Sequence, residues 1–277
     1  MTAPATLAGP WDQELAVAIA AAEAAAAVFP PAGTIPDVRF KPDGSPVTDA
    51  DLAANARILA VLRSAFPADA ILSEELADDR ARLSAHRVWI VDPLDGTRDF
   101  AEGSSDYAVH VALAVEGLPV VAAVAWPGTG EVYTAVRGGG AAVQGPRGTR
   151  RLHVAPARPL AGYRAAITRT AMHPPLADFL ERTGLGATAV RRGASVKLLL
   201  LAAGEVDLCL TLHDRENEWD SAAPGLIVTE AGGRATDADG RPFRYNQPDV
   251  RHRRGALYSA GHHHAALVAV AQRCFPA

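Results

Sequence analysis

Two aspartates lie three residues apart where an apolar run ends, in the segment WIVDPLDGTRDF (89–100). Asp92 directly follows the apolar residues, and Asp95 comes after Pro93 and Leu94. Carboxylates this close repel each other, so a proton or a cation must offset the repulsion. The spacing raises the question of which of the two the protein uses, and for what chemistry.

Further acidic residues stand at the boundaries of other predicted elements. Glu74 and Glu75 follow the predicted strand AILS (70–73), and Asp220 lies near the start of a predicted helix. Bundled carboxylates suit Mg²⁺, which takes oxygen ligands in octahedral geometry and keeps several waters. The backbone carbonyl of Leu94 can serve as a further oxygen ligand. A cation at this place would also remove the repulsion between the paired aspartates.

An anion site is predicted beside these carboxylates. Gly96 and Thr97 lead into a short helical turn, TRDF (97–100), and the N–H groups of such a helix start favour a phosphate. A cation site next to an anion site indicates metal-assisted phosphate hydrolysis, in which two metals clamp the attacking and leaving oxygens.

Each acidic residue also has an ordinary explanation. The glutamates suit solvated positions after a strand, the two aspartates suit a turn with Gly96, and Asp51 and Asp220 suit helix starts. Taken together, with two of the clusters at strand ends, their occurrence is poorly explained by chance.

The first half of the sequence predicts the elements that would hold these residues. Thr48 and Asp51 have the form of a capping box, and the apolar stripe behind them predicts a helix. An alanine-rich helix over 15–29, capped near Asp12, is favoured over a signal peptide because no basic lead precedes it. Apolar runs separated by Gly or Pro predict strands at VRFK (38–41), AILS (70–73), RVWIVD (87–92), YAVHVALAVE (107–116), LPVVAAVAWP (118–127) and EVYTAV (131–136).

The second half alternates strands with helices. The Gly- and Arg-rich segment 138–150 is expected to be an exposed loop, and a soft boundary follows near residue 155. This divides the chain into an α+β domain with an antiparallel sheet and the main metal site (1–155) and an α/β domain that contributes Asp220 and substrate contacts (156–277). The strands predicted in the second part are YRAAIT (163–168), VDLCLTL (206–212) and ALYSA (256–260), and the helices are LADFLERTG (176–184), SVKLLLLAAGE (195–205), WDSAAPGLIVTEAGG (219–233) and HHAALVAVAQRC (263–274).

Composition narrows the class of protein. The chain has 277 residues, about half of them apolar, and a net charge of −4 from 27 basic and 31 acidic residues. So small a charge gives no global attraction to nucleic acid. Two distant cysteines, Cys209 and Cys274, argue against a disulfide framework and favour a reducing compartment. We therefore expect a cytoplasmic monomer or homodimer without integral membrane insertion, free or peripheral to the inner face of the membrane.

Three segments of the sequence resemble a known family of enzymes. DPLDGTRDF (92–100), the upstream SEE (73–75) and the downstream EWDSAAPGLIVTEAGG (218–233) resemble the inositol monophosphatase superfamily of Mg²⁺-dependent, lithium-sensitive phosphatases. The resemblance covers about residues 41–260. It implies a combined α+β and α/β architecture, a layered α-β-α-β-α sandwich.

The resemblance also implies roles for individual residues. Two or three Mg²⁺ ions would be held by Glu74, Asp92, Asp95, Asp220 and the Leu94 carbonyl. Asp51 and Glu75 would hold waters, and Thr97 would orient the attacking one. A small phosphomonoester substrate would contact Glu74, Leu94, Asp95, Gly96, Thr97, Ser195, Lys197 and Asp220.

Within the superfamily, five segments look most like the CysQ-type 3′(2′),5′-bisphosphate nucleotidases, which remove the 3′-phosphate from 3′-phosphoadenosine 5′-phosphate. They are KPDGSPVTDAD (41–51), SEELADDRARL (73–83), RGASVK (192–197), EWDSAAP (218–224) and FRYNQPD (243–249). Ala194 stands where many of these enzymes have a serine, and an arginine often found near Thr211 is missing. Lys197, Ser195 and either Arg191 or Arg215 are therefore the candidates for the second phosphate.

Two other functions share parts of this pattern. An inositol-1-monophosphatase or broad sugar phosphatase would use the same metals with a different pocket. A non-catalytic phosphate-binding module would require the loss of a metal ligand or of a water-activating group, and the sequence retains both sets.

Overall fold

The computed structural model describes residues 10–30, 36–42, 44–169, 172–193 and 195–276. The helices are α1 (Asp12–Ala26), α2 (Asp49–Ala65), α3 (Thr97–Ala101), α4 (Pro174–Thr183), α5 (Val196–Ala202), α6 (Glu218–Glu230) and α7 (His264–Cys274). The strands are β1 (Val38–Phe40), β2 (Pro46–Thr48), β3 (Ala70–Ser73), β4 (Arg87–Asp95), β5 (Ala108–Val115), β6 (Leu118–Trp126), β7 (Glu131–Val136), β8 (Gly140–Gly145), β9 (Gly148–Arg151), β10 (Ala165–Thr168), β11 (Val190–Arg192), β12 (Leu208–Thr211), β13 (Arg234–Thr236) and β14 (Ala256–Ser259).

Two large sheets organise these elements. Strands β3 to β9 form the first sheet in sequence order, with β3 parallel to β4 and the later neighbours antiparallel. The second sheet has the order β11-β10-β12-β14-β13, parallel on the β10 side and antiparallel around β14. Strands β1 and β2 pair separately.

The sheets alternate with helical layers. Helices α1 and α2 cover one face of the first sheet, where small residues such as Ala18 and Ala22 meet Val109 and Val121. Helices α5 and α6 fill the space between the two sheets, and α4 and α7 cover the outer face of the second. The predicted α-β-α-β-α sandwich is confirmed.

Strand β6 shows why its sequence is apolar throughout. Val121 and Ala123 face the α1 and α2 layer, whereas Ala122 and Val124 face α5 and α6. A strand covered on both faces buries every side chain, so no polar residue alternates along it. The strand predicted at LPVVAAVAWP is therefore confirmed as β6.

The segment 138–150 is not the exposed loop that its composition predicted. It forms the β8–β9 hairpin, which pairs with β7 and buries Ala141 to Val143. Gly138, Gly140 and Gly148 have positive φ angles at the turns, which is the conformation that favours glycine. The glycines thus mark turns within the sheet and do not indicate a structureless segment.

Two smaller expectations concern the first helix and the domain boundary. Helix α1 begins at Asp12, in agreement with the cap predicted near that residue, and its N-cap Trp11 makes no side-chain capping hydrogen bond. The first sheet ends at Arg151 and the second begins at Ala165, yet α6 from the second half packs on the first sheet. The division at residue 155 stays a prediction. Among the described residues, each helix is too short or too polar to span a bilayer.

Candidate active site

Strand β4 contains both of the paired aspartates, Asp92 and Asp95. The strand continues past its predicted end at Asp92 to Asp95, and its register with β5 shifts between these two residues. In a regular strand, residues three apart point to opposite faces, whereas a bulge re-aims a side chain. A backbone N–H of Leu94 donates to Asp92 Oδ1 at 3.0 Å within the shifted segment. The irregularity therefore allows both carboxylates to point to one place.

Helix α6 brings a third carboxylate to the pair. Asp220 is the third residue of the helix, and its Oδ2 accepts the backbone N–H of Asn217 at 2.6 Å in a capping box. Carboxylate oxygens of Asp92, Asp95 and Asp220 all lie within 4.8 Å of one another. The structure thus joins residues that lie far apart in the sequence into one cluster of oxygen donors.

The electrostatics of this cluster explain what it requires. Burial is the main cause that raises the pKa of both Asp92 and Asp220, and the neighbouring carboxylates raise each further. Asp92 is only 1% exposed, so water does not screen its charge. A donor set made of oxygens fits a hard divalent cation, which would offset both the burial and the repulsion.

Lys41 is a site residue that the sequence analysis did not single out. Its Nζ lies 2.9 Å from Glu74 Oε1 and 2.6 Å from Glu75 Oε1. Burial lowers the pKa of Lys41, but the two glutamates outweigh this and raise it overall. Burial raises the pKa of Glu74, and the positive charge of Lys41 opposes this shift. The ammonium group of Lys41 therefore pairs with both glutamates at the edge of the site.

Asp51 and Thr97 meet as an oriented pair. Asp51 is 2% exposed, and its Oδ2 accepts from the backbone N–H and the hydroxyl of Thr48 at 2.8 and 2.6 Å, which confirms the predicted capping box. The hydroxyl of Thr97 lies 3.0 Å from Asp51 Oδ1 and 3.1 Å from the Leu94 carbonyl. Gly96, at φ 94°, makes the left-handed turn that begins α3 and places Thr97 there.

Two adjoining pockets open at the cluster. The first is lined by Ser45, Pro46, Glu74, Asp92, Leu94, Asp95, Gly96, Thr97, Arg98, Asp99, Arg215 and Asp220. The second shares Asp95, Arg215 and Asp220 with it and adds Lys197, His173 and His213. Burial, followed by Arg215, lowers the pKa of His213 to about 4, so its ring is uncharged near neutral pH.

The residues predicted to contact a second phosphate are only partly brought together. Lys197, Ser195 and Arg215 line the second pocket. Arg191 lines a different pocket near α4, and its guanidinium lies 3.5 Å from the Thr168 carbonyl. The geometry therefore favours Arg215 over Arg191 as the partner of Lys197. Ala194, which departs from the nucleotidase motif, lies outside the described residues.

Ser195 and His110 form a contact that no sequence motif indicated. His110 on β5 is fully buried, and its Nε2 lies 2.5 Å from Ser195 Oγ. The backbone N–H of Ser195 donates to Asp95 Oδ2 at 2.6 Å. Burial lowers the pKa of His110, although Asp95 opposes this, so the imidazole is neutral near pH 7.

Comparisons with known proteins agree with this geometry. The sequence profile of the "Inositol monophosphatase family" matches residues 11–274. A 3′-phosphoadenosine 5′-phosphate phosphatase of Mycobacterium tuberculosis is 41% identical over 207 residues, which cover 72% of each chain. The 3′(2′),5′-bisphosphate nucleotidase CysQ of Escherichia coli K12 is 35% identical over 216 residues, 77% of this chain and 85% of its own. The crystal structure of CysQ from Bacteroides thetaiotaomicron matches with a TM-score of 0.75 at 27% identity, covering 90% of this chain and 98% of that one.

Proposed function

Because the chain belongs to the inositol monophosphatase family, we propose that it is a Mg²⁺-dependent phosphomonoesterase that hydrolyses 3′-phosphoadenosine 5′-phosphate to AMP and phosphate. The observation that carries the proposal is the cluster of Asp92, Asp95 and Asp220, which opens into a pocket lined by Lys197 and Arg215. The family is metal-dependent, and relatives that are 35–41% identical carry bisphosphate nucleotidase or phosphatase names.

The donor set supports a hard divalent cation. Glu74, Asp92, Asp95, Asp220 and the carbonyl of Leu94 would hold two or three Mg²⁺ ions, and all five line the first pocket. When bound, the ions would stabilise negative charge on the phosphoryl oxygens and on the leaving oxygen. The thiolate and imidazole ligands typical of zinc do not line this pocket among the described residues.

The pair of Asp51 and Thr97 would orient the attacking water. When the Thr97 hydroxyl donates to Asp51, its oxygen lone pairs face away from the carboxylate and can accept a hydrogen bond from water. Thr48 fixes Asp51 from the other side, so the pair is held before substrate binds. Glu75, placed by Lys41, would hold a second water at the edge of the site.

Substrate choice would depend on the second pocket. Lys197 and Arg215 can bind the 5′-phosphate through charge-assisted hydrogen bonds. The neutral ring of His213 offers an uncharged surface beside them. An inositol monophosphate has no second phosphate that Lys197 and Arg215 could bind, so the pocket favours the bisphosphate.

A phosphate-release assay with 3′-phosphoadenosine 5′-phosphate tests the proposed chemistry. Activity should require Mg²⁺, disappear with excess EDTA and return when Mg²⁺ is restored. Lithium in the tens of millimolar, an order-of-magnitude range, should inhibit by competing for a Mg²⁺ position. Undiminished turnover after exhaustive chelation would refute the metal mechanism. A lack of phosphate release in a single turnover would point to a non-catalytic binding module.

A further inference from the structure

His110 connects three elements that meet at the carboxylate cluster. It lies on β5, its Nε2 lies 2.5 Å from Ser195 Oγ just before α5, and its Nδ1 lies 3.1 Å from the Trp219 carbonyl in α6. The ring is fully buried. Because Trp219 directly precedes Asp220, the imidazole contacts the backbone beside one carboxylate of the cluster.

The partners determine where the protons lie. A carbonyl oxygen can only accept, so Nδ1 of His110 must carry the proton that is donated to Trp219. Nε2 is then the acceptor, and the hydroxyl of Ser195 donates to it. Ser195 also donates its backbone N–H to Asp95 Oδ2, and His110 Nε2 lies 3.6 Å from that same oxygen. One residue of the α5 start therefore contacts both the imidazole and Asp95.

We propose that His110 is a positioning residue that fixes Asp95 and Asp220 relative to each other through the Ser195 hydroxyl and the Trp219 carbonyl. The inference rests on the proposed function in one respect, namely that these two aspartates hold metal. Groups that orient metal ligands from behind commonly change metal affinity about 10- to 100-fold when they are removed.

The connection assigns a different task to Ser195 from the one its sequence position predicted. Its hydroxyl has a single proton, and this proton is directed at His110. The hydroxyl is thus not the donor to a substrate phosphate. Ser195 lines the second pocket together with Asp95 and Asp220 of the cluster.

Titration of the free protein with Mn²⁺ alone, followed by calorimetry, tests the proposal without substrate. The variants are Ser195→Ala, His110→Asn and the double variant. Asparagine can keep the donor to Trp219 but does not reach Ser195. Each single change should weaken Mn²⁺ binding about tenfold. The double variant should bind no more weakly than the weaker single variant, because both changes remove the same hydrogen bond.

The chain offers a matched control in a second buried serine–histidine pair. Ser259 Oγ lies 2.8 Å from His264 Nδ1, both residues are buried, and neither lines the two pockets described above. Ser259→Ala should lower the melting temperature and leave Mn²⁺ affinity unchanged. A purely structural role for Ser195 would give this same pattern.

The outcomes separate the two proposals. Wild-type Mn²⁺ affinity in Ser195→Ala would overturn the positioning role, and a raised KM for 3′-phosphoadenosine 5′-phosphate in that variant would assign the hydroxyl to substrate. Ser195→Ala decides the matter even if His110→Asn does not fold, since it leaves the imidazole in place. If the wild-type protein itself does not bind Mn²⁺, the metal site of the proposed function fails, and the positioning role fails with it.

Discussion

At the scale of single residues, Asp95 has two tasks that place different demands on its carboxylate. Its carboxylate belongs to the cluster with Asp92 and Asp220, and its Oδ2 also accepts the N–H of Ser195. A residue that only closed a turn would need neither contact. The negative charge is what the cluster requires, whereas the hydrogen bond requires only an acceptor.

Asp95→Asn should separate these tasks. The amide keeps the size of the side chain and an acceptor oxygen but removes the charge that the cations need. We expect kcat to fall on the order of a hundredfold or more, comparable to losing one preorganised electrostatic group. Circular dichroism should show an intact fold. A near-wild-type kcat would mean that Asp95 serves only the turn.

Thr97→Ala should slow hydrolysis without weakening metal binding. The variant loses the hydroxyl that lies between Asp51 and the expected water position. A lost hydrogen bond of about 1–1.5 kcal/mol corresponds to roughly a tenfold fall in kcat. Thr97→Ser, which retains the hydroxyl, is the matched control and should restore most of the rate. A loss of Mn²⁺ affinity with unchanged kcat would contradict the orienting role.

The site residues that could be predicted from the sequence differ from the others in where their signal lies. Asp92, Asp95 and Asp220 were identifiable because each stands at the boundary of an element. Lys41 ends the predicted strand VRFK and His110 lies inside a strand, and neither was singled out because their partners are 33 and 85 positions away. Their importance comes from contacts made by tertiary packing, which a local pattern does not contain.

At the scale of elements, Gly193, which directly follows β11, is held by carboxylates of the first half of the chain. The N–H of Gly193 donates to Asp106 Oδ2 at 3.0 Å, and Arg169 pairs with the same oxygen at 2.7 Å. Arg169 also lies 3.5 Å from Asp99. The carboxylate of Asp99 packs directly on Gly193, where an added Cβ would overlap it.

Gly193→Ala should therefore destabilise the protein and disturb the site. Overpacking of a well-packed position costs about 1–3 kcal/mol, which should appear as a lower melting temperature. Gly186→Ala is the control, because its Cβ would lie 3.8 Å from the Leu180 side chain, which is an ordinary contact. Equal stability of the two variants would show that Asp99 moves aside without cost.

Element boundaries were predictable where a cap or an apolar run marks them. The capping box at Thr48 placed the start of α2 correctly, and Gly184 ends α4 in the left-handed conformation. The bulge in β4 was not predictable, since the shift arises from pairing with β5. The β8–β9 hairpin was missed because its glycines and arginines lack the alternating pattern of a half-buried strand.

At the scale of the whole molecule, the order of layers came from family resemblance and not from periodicity. Strand pairing between distant segments, such as β12 with β14, has no local signature. The layering matters for function because β4, α5 and α6 meet where the first sheet contacts the middle helical layer. The cluster stands at that junction.

Metal-free protein should become less stable as pH rises from about 7 to 8, above the unfolded-state histidine pKa of about 6.5, where buried histidines such as His213 and His252 no longer oppose the trend. Burial raises the folded-state pKa of Asp92 and Asp220, and that of Glu218 to about 7. A raised carboxyl pKa stabilises the fold below the unfolded value near 4, and this contribution is lost as pH rises through the folded value. Melting temperatures measured in EDTA should therefore fall across this range.

Mg²⁺ should reduce this pH dependence, because a bound cation offsets the charge of Asp92 and Asp220. Glu218 should retain its contribution to the pH dependence. Its oxygens accept the N–H groups of Asn246 and Gln247 at 2.6 and 2.7 Å. The same slope of melting temperature with pH in EDTA and in Mg²⁺ would contradict a metal site at the aspartates.

If the metal centre acts on a bisphosphate nucleotide, a comparison of kcat/KM for two substrates should show the preference. The measurement uses 3′-phosphoadenosine 5′-phosphate and inositol 1-phosphate with the wild type and Lys197→Ala. A charge-assisted contact of about 1.5–3 kcal/mol predicts a roughly ten- to hundredfold preference of the wild type for the nucleotide. The variant should lose most of that preference while its inositol 1-phosphate activity stays near the wild-type value. A wild type that prefers inositol 1-phosphate, or a variant equally impaired on both substrates, would contradict the nucleotidase assignment and favour a general monophosphatase.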